Sequence, residues 1–130
     1  MTDAQARPSR GRKTIVVVED DDEMRDLETF LLSAEGYHVV GVADGASAVP
    51  AIKREGADLV LLDLVLPDRH GNEVLAELES DPATASVAVI VVTAYSAHLR
   101  NVRSTKQVRR TIAKPFDITD LLDAVDQALG

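Results

Sequence analysis

The sequence predicts a doubly wound α/β domain, an open parallel sheet with helices on both faces, and three observations carry that prediction. Ile15-Val16-Val17-Val18, Leu59-Val60-Leu61-Leu62 and Val87-Ala88-Val89-Ile90-Val91-Val92 are continuous apolar runs rich in β-branched residues. Strands covered on both faces read this way, without polar alternation. Amphipathic stretches separate the runs, so five strands and five helices alternate strictly, which is the pattern of parallel strands joined by helical crossovers. The length of 130 residues is that of one domain, since single domains commonly run ~100–200 residues.

The elements follow in order. After the first strand, Met24, Leu27, Leu31 and Ala34 fall at helical spacing, and Gly36 stands where that helix would stop. Val39-Val40 marks a short second strand. In the second helix Pro50 follows Val49, and an interior proline costs roughly 3 kcal/mol. A late start is therefore expected, with Ser47 as N-cap and Pro50 in the first turn. The fourth helix is expected within residues 97–107, where Leu99 and Val102 are the apolar residues, and should be the least firmly packed. Thr111-Ile112 suggests a short fifth strand. The last helix lines one face with Ile118, Leu121, Leu122, Val125 and Leu129, and Asp117 is its expected N-cap.

Composition removes several function classes. Hydrophobic residues at 45% and charged residues at 28% exclude a disordered chain and a membrane protein. The absence of Cys excludes disulfide scaffolds and thiolate metal sites. A formal net charge of -8 argues against direct nucleic-acid binding, and four aromatics leave little for base stacking. Residues 1–13 differ from the rest. They carry Arg7, Arg10, Arg12 and Lys13 against Asp3, and they are expected to form a flexible basic tail before a domain spanning 14–130. They lack the apolar stretch of a signal peptide, so a cytoplasmic location is expected.

In open α/β sheets, ligands bind beyond the carboxyl ends of the strands. The first strand ends in Glu19-Asp20, the third in Asp63, the fourth in Thr93, and the fifth in Lys114 followed by Pro115. Each residue alone has an ordinary explanation as a cap or a loop residue. Together they place acids, a hydroxyl and an amine at one edge. Converging carboxylates repel, so they must take up protons or hold a cation. Oxygen donors suit a hard divalent ion, and Mg²⁺ fits best because it takes one or two carboxylates and shares phosphate oxygens. A lysine and a threonine beside it suit phosphoryl oxygens. The remaining carboxylate can act as nucleophile, and Asp63 is the candidate because it ends the central strand.

Ile15-Val16-Val17-Val18-Glu19-Asp20-Asp21, Leu61-Leu62-Asp63-Leu64-Val65-Leu66-Pro67-Asp68-Arg69-His70-Gly71, Val91-Val92-Thr93-Ala94 and Lys114-Pro115-Phe116 resemble the receiver domain of two-component response regulators. The resemblance covers Thr14 to Gly130. Asp20 and Asp63 are 43 positions apart and Asp63 and Thr93 are 30, as in that family. It implies a flavodoxin-like sheet of order 2-1-3-4-5 and a phosphorylatable signalling switch rather than a metabolic enzyme. It further implies that Asp63 accepts a phosphoryl group from a histidine kinase or phosphotransfer protein. Glu19, Asp20, Asp63 and the backbone carbonyl of Val65 would bind Mg²⁺, Thr93 and Lys114 would contact phosphoryl oxygens, and the bond to Pro115 would be cis. Output would pass to a protein partner or to a domain outside this chain, with no direct nucleic-acid or membrane contact.

The chain departs from that family in places. The aromatic residue usual three positions before the lysine is Thr111, and the run from Thr93 to Lys114 spans 21 positions, one fewer than usual. The signal is therefore expected as a shift of the fourth helix rather than an aromatic flip. Arg100, Arg103, Lys106, Arg109, Arg110 and Lys114 crowd one stretch without an acid, which reads either as a solvated helix face or as a docking surface for an acidic partner. Val65 cannot orient an attacking water and Tyr95 can shield the site, which implies a long-lived phosphorylated state. His38, His70 and His98 show no metal spacing, and there is no Gly-x-Ser-x-Gly elbow and no Gly-rich phosphate loop after the first strand. Two other classes remain: a phosphorylation-independent adaptor, and a Mg²⁺-dependent aspartyl phosphatase. The latter wants a second acid two residues past the nucleophile, where Val65 stands.

Overall fold

The fold is that of a computed structural model, which describes residues 12–94, 102 and 105–130. The strands are β1 (Thr14–Val18), β2 (His38–Val42), β3 (Leu59–Leu62), β4 (Ala88–Thr93) and β5 (Val108–Ala113). The helices are α1 (Asp22–Ala34), α2 (Gly45–Glu55), α3 (Gly71–Ser80) and α4 (Ile118–Leu129). All strand pairs are parallel, in the order β2-β1-β3-β4-β5. Every residue of β1, β3 and β4 is buried, which is why these strands read as unbroken apolar runs. Successive side chains point to opposite faces. Val16, Val18, Val60, Leu62, Val89 and Val91 meet α2 and α3, while Ile15, Val17, Leu61, Ile90 and Val92 meet α1 and α4.

The edge strands are longer than their apolar content suggests. In β5 only Ile112 is buried, and Arg109, Arg110, Thr111 and Ala113 face out. The register passes from Val89↔Val108 to Ile90↔Arg110, so Arg109 is an extra residue in a bulge. Buried Gln107 precedes the strand and donates from Nε2 to the carbonyls of Thr84 (2.8 Å) and Val87 (2.9 Å), tying β5 to the α3–β4 connection.

The helices correct three expectations, and a fourth falls largely outside the described residues. Among the described residues there are four, not five, because most of residues 97–107 lie outside them; Val102 is described and packs against the core. The α2 helix starts at Gly45, not late. Asp44 is its N-cap, accepting from the Ser47 N–H at 2.7 Å, and Pro50 lies inside the helix. Both Pro50 and Ala46, whose carbonyl loses its intrahelical donor, are exposed, so water can take that bond. In α1 the buried positions are Glu28 and Leu32, while Leu27 and Phe30 face solvent. Near the carboxyl edge of the sheet this helix abuts a polar site, so Arg25 and Glu28 occupy positions that apolar spacing alone would have filled otherwise. In α4, Leu121, Ala124 and Val125 are buried but Ile118 is exposed, and Asp117 stands at the N-cap position without a side-chain cap bond. Of the tail 1–13, only residues 12 and 13 are described. No helix among the described residues is long and apolar enough to cross a membrane.

Candidate functional site

Strand order reverses at β1: the chain goes from β1 outward to β2, then returns to β3 on the other side. The crevice beyond that switch point is where doubly wound sheets place ligands. Glu19 and Asp20 follow β1, Asp63 follows β3, Thr93 closes β4 and Lys114 follows β5. Glu19, Asp63 and Thr93 are buried, and Asp20 is exposed. The Lys114 N–H donates to the Thr93 carbonyl at 2.8 Å, holding the two strand ends together.

One oxygen from each of Glu19, Asp20 and Asp63 falls within 4.8 Å of the others, a spacing that one cation can bridge. Oxygen-only donors, two buried and one exposed, fit Mg²⁺. The Lys114 ammonium shares this site, hydrogen-bonding to Glu19 Oε1 and to Asp63 Oδ2, the latter at 3.2 Å. Burial works against the lysine's charge, but the bond to Glu19 and the charge of Asp63 outweigh it and raise its pKa above the ordinary lysine value. Burial pushes the Glu19 carboxyl above the usual carboxylate range, against the pull of Lys114. The repulsion expected among the acids is thus partly relieved by the lysine itself.

The loop after Asp63 is fixed at both ends. The Val65 N–H donates to Asp63 Oδ1 at 3.2 Å, and Val65 pairs with His70 in an antiparallel bridge. His70 caps α3, its Nδ1 accepting from the Asn72 N–H at 3.0 Å. Gly71 lies so close to the strand end that a Cβ would stand 2.7 Å from the Asp63 carbonyl oxygen. Asp68 was not singled out from the sequence, yet it accepts from the N–H groups of Gly45 and Ala46, each at 2.8 Å, and so anchors this loop to the start of α2. Those bonds, that from Gly45 first, hold the Asp68 carboxyl below its ordinary value.

The other sequence candidates are distributed as follows. The Lys114–Pro115 peptide is cis. Thr111 is exposed and stands in register with Val91. Lys106, Arg109 and Arg110 are exposed. Tyr95, His98, Arg100 and Arg103 lie outside the described residues. His38 Nε2 lies 3.5 Å from Glu55 at the opposite edge of the sheet.

Fold and site together define a doubly wound α/β domain with an acidic, lysine-bearing cleft at its switch point. The family model described as the response regulator receiver domain matches residues 15–126. RegX3, a sensory transduction protein of Mycolicibacterium smegmatis, is 35% identical over 89% of this chain and 50% of its own length. The chain therefore spans about half of that relative. Sporulation initiation phosphotransferase F of Bacillus subtilis is 33% identical, with 88% of this chain and 92% of that protein covered. Among solved structures, the response regulator TrrA of Thermotoga maritima, in complex with Mg²⁺ and BeF, superimposes with a TM-score of 0.80 at 31% identity, covering 90% of this chain and 99% of that one. The chain belongs to the receiver domain family of response regulators in two-component signalling.

Proposed function

We propose that this receiver works by Mg²⁺-dependent phosphorylation of Asp63. The observation that carries the reading is the convergence of Glu19, Asp20 and Asp63 within 4.8 Å, with the Lys114 ammonium 3.2 Å from Asp63 Oδ2. The similarity to a structure holding Mg²⁺ and BeF supports it. A carboxylate oxygen of Asp63 attacks the phosphorus of a donor phosphohistidine; an O–P bond forms, the P–N bond breaks, and the imidazole leaves with a proton. Glu19, Asp20, Asp63 and the Val65 carbonyl would hold the ion, which supplies positive charge to the phosphoryl oxygens. Lys114 then exchanges its bond to Asp63 for one to the new phosphoryl group, and the Thr93 hydroxyl donates to another of its oxygens. The chemistry is self-catalysed, and the later loss of phosphate is attack by water on the same phosphorus.

The donor in this reading is a histidine kinase or phosphotransfer protein, and the setting is cytoplasmic. The exposed cations Lys106, Arg109 and Arg110 supply a surface for an acidic partner. The test is intact-mass measurement after incubation with acetyl phosphate and Mg²⁺. The wild type should gain one base-labile phosphoryl group and Asp63→Asn none. No gain in the wild type would favour a phosphorylation-independent adaptor, and continuous turnover of phosphate esters a phosphatase.

A further inference from the structure

We propose that Arg25 is a positioning residue for the acidic pair: it holds the Glu19–Asp20 peptide in the orientation that brings both carboxylates onto one cation. The inference rests on the Mg²⁺ reading above and concerns how the chain prepares that site.

The backbone ladder ends at the acids. The Asp63 N–H donates to the Val18 carbonyl at 3.1 Å, and the Glu19 N–H donates to the Val42 carbonyl at 3.0 Å. The Glu19 carbonyl is the next acceptor along β1 and has passed the end of the strand. Arg25, from the first turns of α1, reaches back and donates from Nη1 to that oxygen at 2.8 Å. Its Nη2 is held by Asp22 Oδ1 at 2.5 Å, so the planar fork is fixed on two acceptors. The Asp21 N–H meanwhile donates to Glu19 Oε2 at 3.1 Å. Glu19 is thus held at its amide, its carbonyl and its carboxylate, and the peptide that leads into Asp20 has a set plane.

The neighbouring strand leaves room for this reach. A Cβ at Gly41 of β2 would lie 3.1 Å from both Cγ and Cδ of Arg25, closer than ordinary contact. The arginine stem occupies the space that glycine leaves. Groups that orient metal ligands in this way commonly change affinity by ~10–100-fold when removed.

The sign of the effect separates positioning from charge. Deleting a cation beside an acidic pocket should tighten Mg²⁺ binding if charge alone mattered. Positioning predicts the reverse. Calorimetric titration of the full chain with Mg²⁺ should show about tenfold weaker binding in Arg25→Met than in the wild type, with the metal-free protein still folded by circular dichroism. Gly41→Ala should weaken binding in the same direction by displacing the stem. Combined with Arg25→Ala, where no stem remains to displace, it should add nothing. Unchanged or tighter binding in Arg25→Met overturns the inference, and if that variant fails to fold, Gly41→Ala decides it by the same criterion. A wild-type chain that takes up no Mg²⁺ would defeat the underlying reading instead.

Discussion

Glu28 is the residue that most departs from ordinary core chemistry. It is 2% exposed, and its Oε2 has no hydrogen-bond partner. Burial, with the negative charge of Glu19 next and Lys114 opposing, pushes its pKa from 4.5 up to about 8. At neutral pH the folded chain therefore holds a proton there that the unfolded chain has released. Linkage sets the direction: across the window from 4.5 to about 8 this group makes stability fall as pH rises. Glu28→Gln, which cannot ionise, should lose less stability between pH 5 and pH 8 than the wild type. Glu28→Leu should be more stable at pH 8 by about 1–3 kcal/mol, the cost of an unsatisfied buried polar group. Urea denaturation at both pH values checks this, and identical pH dependence in wild type and Glu28→Gln would refute it. Val65 is expected to bear on the lifetime of the phosphorylated state instead. It sits 36% exposed beside Asp63, with a side chain that offers water no hydrogen bond. Val65→Asn should shorten the half-life of phosphorylated protein several-fold in a decay assay after removal of phosphodonor; a longer half-life in the variant would contradict this.

At the scale of elements, the close approach of α3 to the end of β3 sets the position of Asp63. At Gly71 a Cβ would meet backbone atoms, the Asp63 carbonyl oxygen at 2.7 Å and Leu64 Cα at 2.8 Å, which cannot swing aside as a flexible side chain can. Gly71→Ala should cost about 1–3 kcal/mol as an overpacked contact and slow phosphorylation by acetyl phosphate, because relief must move the backbone of Asp63, the proposed phosphoacceptor. A variant with wild-type stability and rate would show that the helix gives way instead. The same elements explain what was legible beforehand. β1, β3 and β4 announced themselves, and the residues that ended their apolar runs were the residues of the cleft. The extent of β5 was hidden, since an edge strand exposes Arg109, Arg110 and Thr111 and so lacks the apolar run. The start of α2 was misread because Pro50 outweighed the local cap signal of Asp44, which accepts from the Ser47 N–H, and because the second anchor of Gly45 is Asp68, 23 positions away. A long-range bond of that kind leaves no local pattern, and neither does the reach of Arg25 back to Glu19.

For the whole molecule, the formal charge of -8 matters most where acids are buried together. Lys114 is the counter-charge at that edge in the absence of a divalent ion, with its side chain 12% exposed and bonded to both Glu19 and Asp63. Removing it leaves two largely buried carboxylates without their partner, a change that costs roughly 3–5 kcal/mol when a buried pair is broken. Lys114→Met should therefore lower the melting temperature of metal-free protein. A divalent ion bound only by the folded state adds stability, ~2.7 kcal/mol at one hundred times its dissociation constant. In the wild type that ion must share Glu19 and Asp63 with the ammonium, whereas in Lys114→Met it meets uncompensated carboxylates. The rise in melting temperature on adding Mg²⁺ should consequently be larger in the variant than in the wild type, and Asp20→Asn should reduce it in both. Equal Mg²⁺ shifts in wild type and Lys114→Met, measured by scanning calorimetry at one pH, would mean that lysine and metal do not compete for the same oxygens.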